Sequence, residues 1–289
     1  MRTVLVTGSN GQLGNCIKEI ERNNLNIIYT DYLELDICDL DKVKSFFKSH
    51  DPIDYCVNCA AYTAVDNAEK EPEKAYKINA LGPKNLALTC ELNNTVLIHV
   101  STDFVFDGEK TEPYKETDLP NPLSIYGKTK WEGENFIQQI CSKHIIIRTS
   151  WLYSLFGSNF VKTMLRLAET NMSLNIVNDQ IGTPTNAYDL AGAILNIIDK
   201  DSCLQKRGES IPFYGTYHYS NEGICSWYDF AKKIFEINNI QIDLVPIPTK
   251  SYPTPAKRPL YSVLDKTKIK NTFGINIKTW EESLKKYNS

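Results

Sequence analysis

The chain lacks any apolar run approaching the roughly 18 residues that a membrane-spanning helix needs. It also lacks a block of lysines or arginines, and its formal net charge is only −3. That balance leaves no electrostatic footprint for nucleic acid or for an anionic membrane surface. The first residues, Met1 to Gly8, break at glycine before a signal-peptide core could form. No internal repeat and no low-complexity tract is present. These absences predict a cytoplasmic protein whose partners are small molecules.

Cysteine is not scarce, but its pattern excludes the usual uses. The eight cysteines are scattered, and Cys56-Val57-Asn58-Cys59 is the one CxxC. No second CxxC or histidine pair completes a zinc site. It sits in a strand-like run, where residues three apart face opposite ways. Buried thiols and no metal are expected.

What is there is alternation. Short apolar runs at Thr3–Val6, Asn26–Tyr29, Asp54–Asn58, Thr95–Val100 and His144–Thr149 read as strands. Helical patterns separate them at Leu13–Arg22, from an Asp39 N-cap onward, at Glu73–Leu92 and at Ser124–Gln139. Strands alternating with helices mean βαβ units and a parallel sheet. The fold class is therefore α/β, a Rossmann doubly wound parallel sheet with a smaller, loop-rich C-terminal lobe. With 289 residues there is ample core. Residues 1–150 with roughly 183–222 are expected to form the nucleotide-binding domain. Residues 151–182 with 223–289 form the substrate lobe. Ala187–Ile198 reads as a helix, Asp199–Pro212 as a polar surface loop, Tyr217–Tyr219 as a late strand and Trp227–Ile237 as a helix. The five prolines of Pro246–Pro259 argue against regular structure there.

A glycine-rich turn, Gly8-Ser9-Asn10-Gly11-Gln12-Leu13-Gly14, follows the first strand and opens a helix. Missing side chains let the backbone turn tightly and approach a pyrophosphate, which the helix N-terminus attracts. Asp31 ends the second strand, where a carboxylate accepts from the ribose hydroxyls of NAD and repels the 2′-phosphate of NADP. No arginine follows it, so NADH is favoured over NADPH. Asp36 and Ile37 come next, beside where the adenine would lie.

Tyr126 and Lys130 stand four apart on one helix face. A free tyrosine has a pKa near 10. A neighbouring ammonium lowers it and makes the phenol a better-matched general acid for a forming alkoxide. Lys130 also suits the nicotinamide ribose. Thr102, in Ser101-Thr102-Asp103, offers its hydroxyl to the same substrate oxygen. Alone, a Tyr-x-x-x-Lys is an ordinary amphipathic helix. With the glycine turn and Thr102 it points to hydride transfer.

Together these segments resemble the extended short-chain dehydrogenases/reductases. More narrowly, they resemble the dTDP-4-dehydrorhamnose reductase family. Beyond the segments above, the resemblance runs through Arg148–Trp151, Asn159–Met164, Asn178–Gln180, Gly182–Thr185 and Tyr252–Pro259. It implies reduction of the C4 ketone of dTDP-4-dehydro-6-deoxy-L-mannose by NADH or NADPH. Tyr126 would donate the proton, Thr102 would bond the oxygen and Lys130 would tune the phenol. Asn58, Cys59, Ala60 and Ala61 would line the cofactor. Thr63, Val65 and Trp151 would face the sugar, with Asp103 beside Thr102, and Arg258 would meet the diphosphate. Some relatives dimerise around magnesium held by glutamates; Cys16 and Tyr188 stand at those positions here. Neither suits a hard cation, so a monomer or metal-free dimer is expected.

Two other classes remain. Dehydratases of the superfamily place an acidic pair after the active-site threonine, for elimination of water; here Asp103 is followed by Phe104, so the second carboxylate is missing. Other nucleotide-4-ketosugar reductases stay open. So does a non-catalytic protein resembling the regulatory subunit of methionine adenosyltransferase, against which Thr102, Tyr126 and Lys130 weigh.

Overall fold

The structure, a computed structural model, describes residues 1–20, 22–50, 52–206 and 213–286. Five parallel strands, β1 (Arg2–Thr7), β2 (Leu25–Tyr29), β3 (Tyr55–Asn58), β4 (Val96–Thr102) and β5 (His144–Thr149), are joined by a sixth at Gly215–His218. Their order is β2-β1-β3-β4-β5 and then Gly215–His218. The chain reverses its winding direction between β1 and β3. That is the switch point of a doubly wound sheet, where a crevice opens at the carboxyl ends.

Strand residues alternate between two cores, as the pleat requires. Val4, Val6, Val57, Ile98 and Ile147 pack with helices Gln12–Glu19 and Ala187–Lys206 on one face. Leu5, Cys56, Leu97 and Ile146 pack with Val43, Phe47, Leu86 and Ile137 on the other. Cys56 and Cys59 fall against opposite cores, and every cysteine is free. A third core joins Tyr153, Val161, Met164, Phe230, Ile234 and Trp280 in the C-terminal half. Among the described residues no helix is long and apolar enough to cross a membrane.

Four expectations needed correction. The expected helix Leu13–Arg22 is the shorter Gln12–Glu19. The expected helix Glu73–Leu92 is one helical path broken by a π-turn at Lys77–Leu81, between Pro72–Tyr76 and Gly82–Leu92. Pro83 has no N–H for the carbonyl of Asn79, so the ladder slips to a Gly82 N–H bond with Lys77. The Asn79 carbonyl turns instead towards helix Ile125–Ile140. A Cβ on Gly133 there would lie 2.2 Å from it, so only glycine permits this approach.

The expected polar loop from Asp199 is helical as far as Lys206, and residues 207–212 lie outside the described residues. Asp201 is buried there and accepts from the buried Tyr55 hydroxyl at 2.8 Å. The proline-rich stretch is not wholly irregular. Pro246 lies in strand Asp243–Ile247, which pairs with Ser173–Val177 in a two-stranded sheet. An edge position spares it the missing donor.

Candidate active site

Gly8 takes a left-handed φ of 63° as β1 ends. A Cβ there would sit 2.5 Å from the Ala60 nitrogen, so the turns after β1 and β3 touch backbone to backbone. Gly11 caps helix Gln12–Glu19 with no side-chain hydrogen bond, leaving the first N–H groups for an anion. Asp31 accepts the N–H of Asn10 at 2.9 Å and of Tyr32 at 2.7 Å, which fixes the carboxylate across the turn. These elements wall a cavity of about 650 Å³.

Nine of the expected cofactor residues line it: Gly8, Asn10, Gly11, Asp31, Asp36, Ile37, Cys59, Ala60 and Ala61. An uncapped helix end, a cradle that a Cβ would fill and an anchored carboxylate fit a dinucleotide. Lys74, Lys77 and Ile78 also line it and escaped the sequence reading; Lys77 and Ile78 belong to the π-turn and Lys74 to the helix that leads into it. Of the other six, four stand behind the wall. Leu13 belongs to the core, and Gly14 is buried in the same helix. Gln12 accepts from Ser154 at 3.1 Å and Asn159 at 3.0 Å, tying the turn to the C-terminal half. Asn58 is buried and accepts from Ala60 N–H at 3.1 Å.

Helix Ile125–Ile140 begins at Ser124, whose hydroxyl accepts the Gly127 N–H at 3.1 Å. This cap sets Tyr126 in the first turn and Lys130 in the second. The Tyr126 phenol stands beside the Thr102 hydroxyl at the end of β4, and its ring meets Phe104 edge-on at 5.6 Å. Thr102 donates to Asp103 at 3.1 Å. Asp103 is 1% exposed, and its Oδ2 has no partner among the described residues. Burial raises its carboxyl to about 6, against the lowering effect of the neighbouring Ser262 and Thr102 hydroxyls.

The expected lowering of the phenol is not found. Burial pushes Tyr126 up to about 12, and Thr102 offsets only part of it. Burial brings Lys130 down to about 8, against the pull of Glu134. Lys130 Nζ donates to the Val100 carbonyl at 2.7 Å and lies 3.3 Å from His99 Nε2. Below it Glu134 takes the Arg148 guanidinium, with Nη2 at 2.7 Å, both partners almost wholly buried. Sequence reading missed His99, although a histidine within Val96–Val100, an otherwise apolar buried strand, was a visible signal.

A second cavity, of about 380 Å³, opens beside Phe104. Trp151 stacks on Trp227 at 3.6 Å, with Gly182 beneath it. Its φ of 46° is a strained value for tryptophan. Arg258 also lines this cavity, though Asp66 holds its guanidinium at 2.7 Å. Ser262 stands in this cavity's wall, near Asp103. Val65 packs in a small cluster with Tyr126, while Thr63 is exposed and lines neither cavity. At the magnesium-associated positions, Cys16 is buried and Tyr188 donates to Glu19.

The RmlD substrate binding domain model matches residues 1–289. The dTDP-4-dehydrorhamnose reductase of Aggregatibacter actinomycetemcomitans is 43% identical, covering 99% of this chain and 98% of its own. A solved dTDP-4-dehydrorhamnose reductase from Clostridium acetobutylicum is 46% identical with a TM-score of 0.92, covering 99% and 98%. One from Bacillus anthracis, solved in complex with NADP, is 39% identical with a TM-score of 0.92, covering 100% and 99%. Matched end to end by the family model and by these relatives, the chain belongs to the dTDP-4-dehydrorhamnose reductase family of the extended short-chain dehydrogenases/reductases.

Proposed function

We propose that this chain reduces the C4 ketone of dTDP-4-dehydro-β-L-rhamnose to dTDP-L-rhamnose. The observation that carries the reading is the placing of Tyr126 beside Thr102 at the sheet's carboxyl edge, one helical turn from Lys130. Nicotinamide bound at the switch point would supply the hydride. Thr102 holds the ketone oxygen, and Tyr126 gives it the proton as charge develops there. Lys130 stabilises the phenolate left behind. Asp103 meets a sugar hydroxyl, which would satisfy its unpartnered oxygen. Thr63, Val65 and Trp151 face the sugar, and Arg258 stands near the diphosphate.

The division of labour follows the expected domains. Residues 1–150 with roughly 183–222 hold the cofactor, and 151–182 with 223–289 hold the sugar nucleotide. Asp31 favours NADH, while Lys74 and Lys77 in the same cavity offer charge to a 2′-phosphate. Both cofactors are therefore used, NADH preferentially. The buried Cys16 and the committed Tyr188 support a monomer or metal-free dimer in the cytoplasm.

The test is a coupled assay from dTDP-glucose through the preceding dehydratase and epimerase, with NADH or NADPH. Formation of dTDP-L-rhamnose supports the reading, and the two rates give the preference. A different 4-hydroxy epimer, or no ketosugar-dependent oxidation of either cofactor, overturns it.

A further inference from the structure

His99 lies on the same strand as Thr102 and is fully buried. Its Nε2 is 3.3 Å from Lys130 Nζ, and its Nδ1 is 3.0 Å from Asn58 Nδ2. Asn58 decides which nitrogen carries the proton. Its Oδ1 receives the Ala60 backbone N–H at 3.1 Å and the Thr7 hydroxyl at 2.7 Å. A backbone N–H only donates, so the amide oxygen must stay there and the amide nitrogen must face His99. Nδ1 therefore accepts. A neutral imidazole has one N–H, which then lies on Nε2 and points at Lys130. Burial and the Lys130 charge hold the His99 pKa well below its ordinary value, so the ring stays neutral.

An N–H aimed at Lys130 Nζ suits an amine, whose lone pair accepts it. It opposes an ammonium, which has only donors. We propose that His99, fixed in one tautomer by Asn58, is a positioning residue that makes Lys130 release its proton more readily than burial alone would. The proposal rests on the reading of Tyr126 and Lys130 as the hydride-transfer pair. The other groups around Lys130 do not cancel it. Glu134, on the same helix, favours the ammonium but is committed to Arg148 from β5. The Val100 carbonyl accepts from either form. The Cys59 thiol stays protonated, pushed up to about 12 by burial. Tyr126 is likewise neutral until it gives up its proton.

The first test needs no turnover. The protein has four histidines, and nitrogen-15 labelling reports the tautomer of each. His99→Gln, or variants of the other three if it does not fold, assigns the signal. An unprotonated Nδ1 with a protonated Nε2 supports the proposal. The reverse tautomer, or an imidazolium, overturns it, whatever substrate the enzyme proves to use.

The second test is the pH profile of kcat/KM. Activity of the wild type should fall as Lys130 loses its proton near pH 8. In His99→Gln the amide can turn its oxygen to the ammonium, moving that limb up by about one pH unit, a tenfold change in proton affinity. A limb that stays in place in the folded variant overturns the proposal. A wild type with no reductase activity would defeat the functional reading instead, leaving the tautomer result standing.

Discussion

Asp66 grips the Arg258 guanidinium at two points, Oδ2 to Nη2 at 2.7 Å and Oδ1 to Nη1 at 3.0 Å. It also accepts the Ala256 N–H at 3.1 Å. A short helix after β3 thereby holds the proline-rich segment Tyr252–Pro259 against the mouth of the second cavity. The geometry is the planar fork that arginine makes and lysine does not.

Asp66→Asn should therefore loosen this segment. Both partners are part-exposed, so stability should change by no more than about 1 kcal/mol. The effect belongs in KM for the sugar nucleotide, expected to rise about tenfold, with kcat less affected. Arg258 holds the Asp66 carboxyl below its ordinary value. The wild-type contact is thus complete above that ordinary value and is lost only as pH falls through the depressed one. Steady-state kinetics with an unchanged KM would remove Asp66 from this role.

Asp103 behaves in the opposite sense. Its folded pKa, about 6, lies above the ordinary 3.8. The folded protein therefore holds this proton more tightly than the unfolded chain between those values, and stability falls as pH rises across them. Asp103→Asn keeps the acceptor for Thr102 and removes the buried charge. It should raise stability at pH 7–8 by up to roughly 3 kcal/mol, with the gain fading towards pH 4. Denaturant melts across that range decide it; a pH-independent difference would show that ionisation of Asp103 is not the cause. If Asp103 meets the sugar hydroxyl as proposed, the same variant should also lose activity.

Gly133→Ala tests how the π-turn positions the helix of Tyr126 and Lys130. The added Cβ would lie 2.2 Å from the Asn79 carbonyl oxygen, a backbone atom that cannot swing aside. Asn79 also accepts the Tyr62 N–H at 2.8 Å and donates to Thr129 at 3.3 Å, so the shift spreads to the site. Overpacking of this kind costs about 1–3 kcal/mol. A drop in Tm with a lower kcat is expected. Wild-type values for both would mean that the two helices separate freely.

The alternation of strands and helices was legible because buried parallel strands are short apolar runs. The glycine turn was legible because backbone contact with Ala60 leaves no room for a side chain. The break at Lys77–Leu81 was not, since helical periodicity on both sides hides one extra residue per turn. Its cue was Pro83, which removes a donor in mid-helix. Lys74 and Lys77 were missed with it. The tryptophan pair was half legible. Trp151 belongs to a recognisable segment, but Trp227 reaches it from 76 residues away through tertiary packing alone. The phenol's pKa went wrong because spacing reports which side chains share a face, not how deeply that face is buried.

Tyr126→Phe removes one oxygen at the centre of the proposed chemistry. The ring keeps its edge contact with Phe104, and the helix keeps its Ser124 cap. Folding and cofactor binding should therefore persist, measurable as quenching of protein fluorescence by NADH. Turnover should fall by about 10²–10⁴, the usual worth of a positioned proton donor. Burial keeps the phenol protonated to about pH 12 in the free protein, so the wild-type donor is available throughout the neutral range. The alkaline limb of the pH profile should then follow Lys130, near pH 8, rather than the tyrosine. A Phe variant that turns over at the wild-type rate would move the proton donor elsewhere, with Asp103 the nearest buried acid.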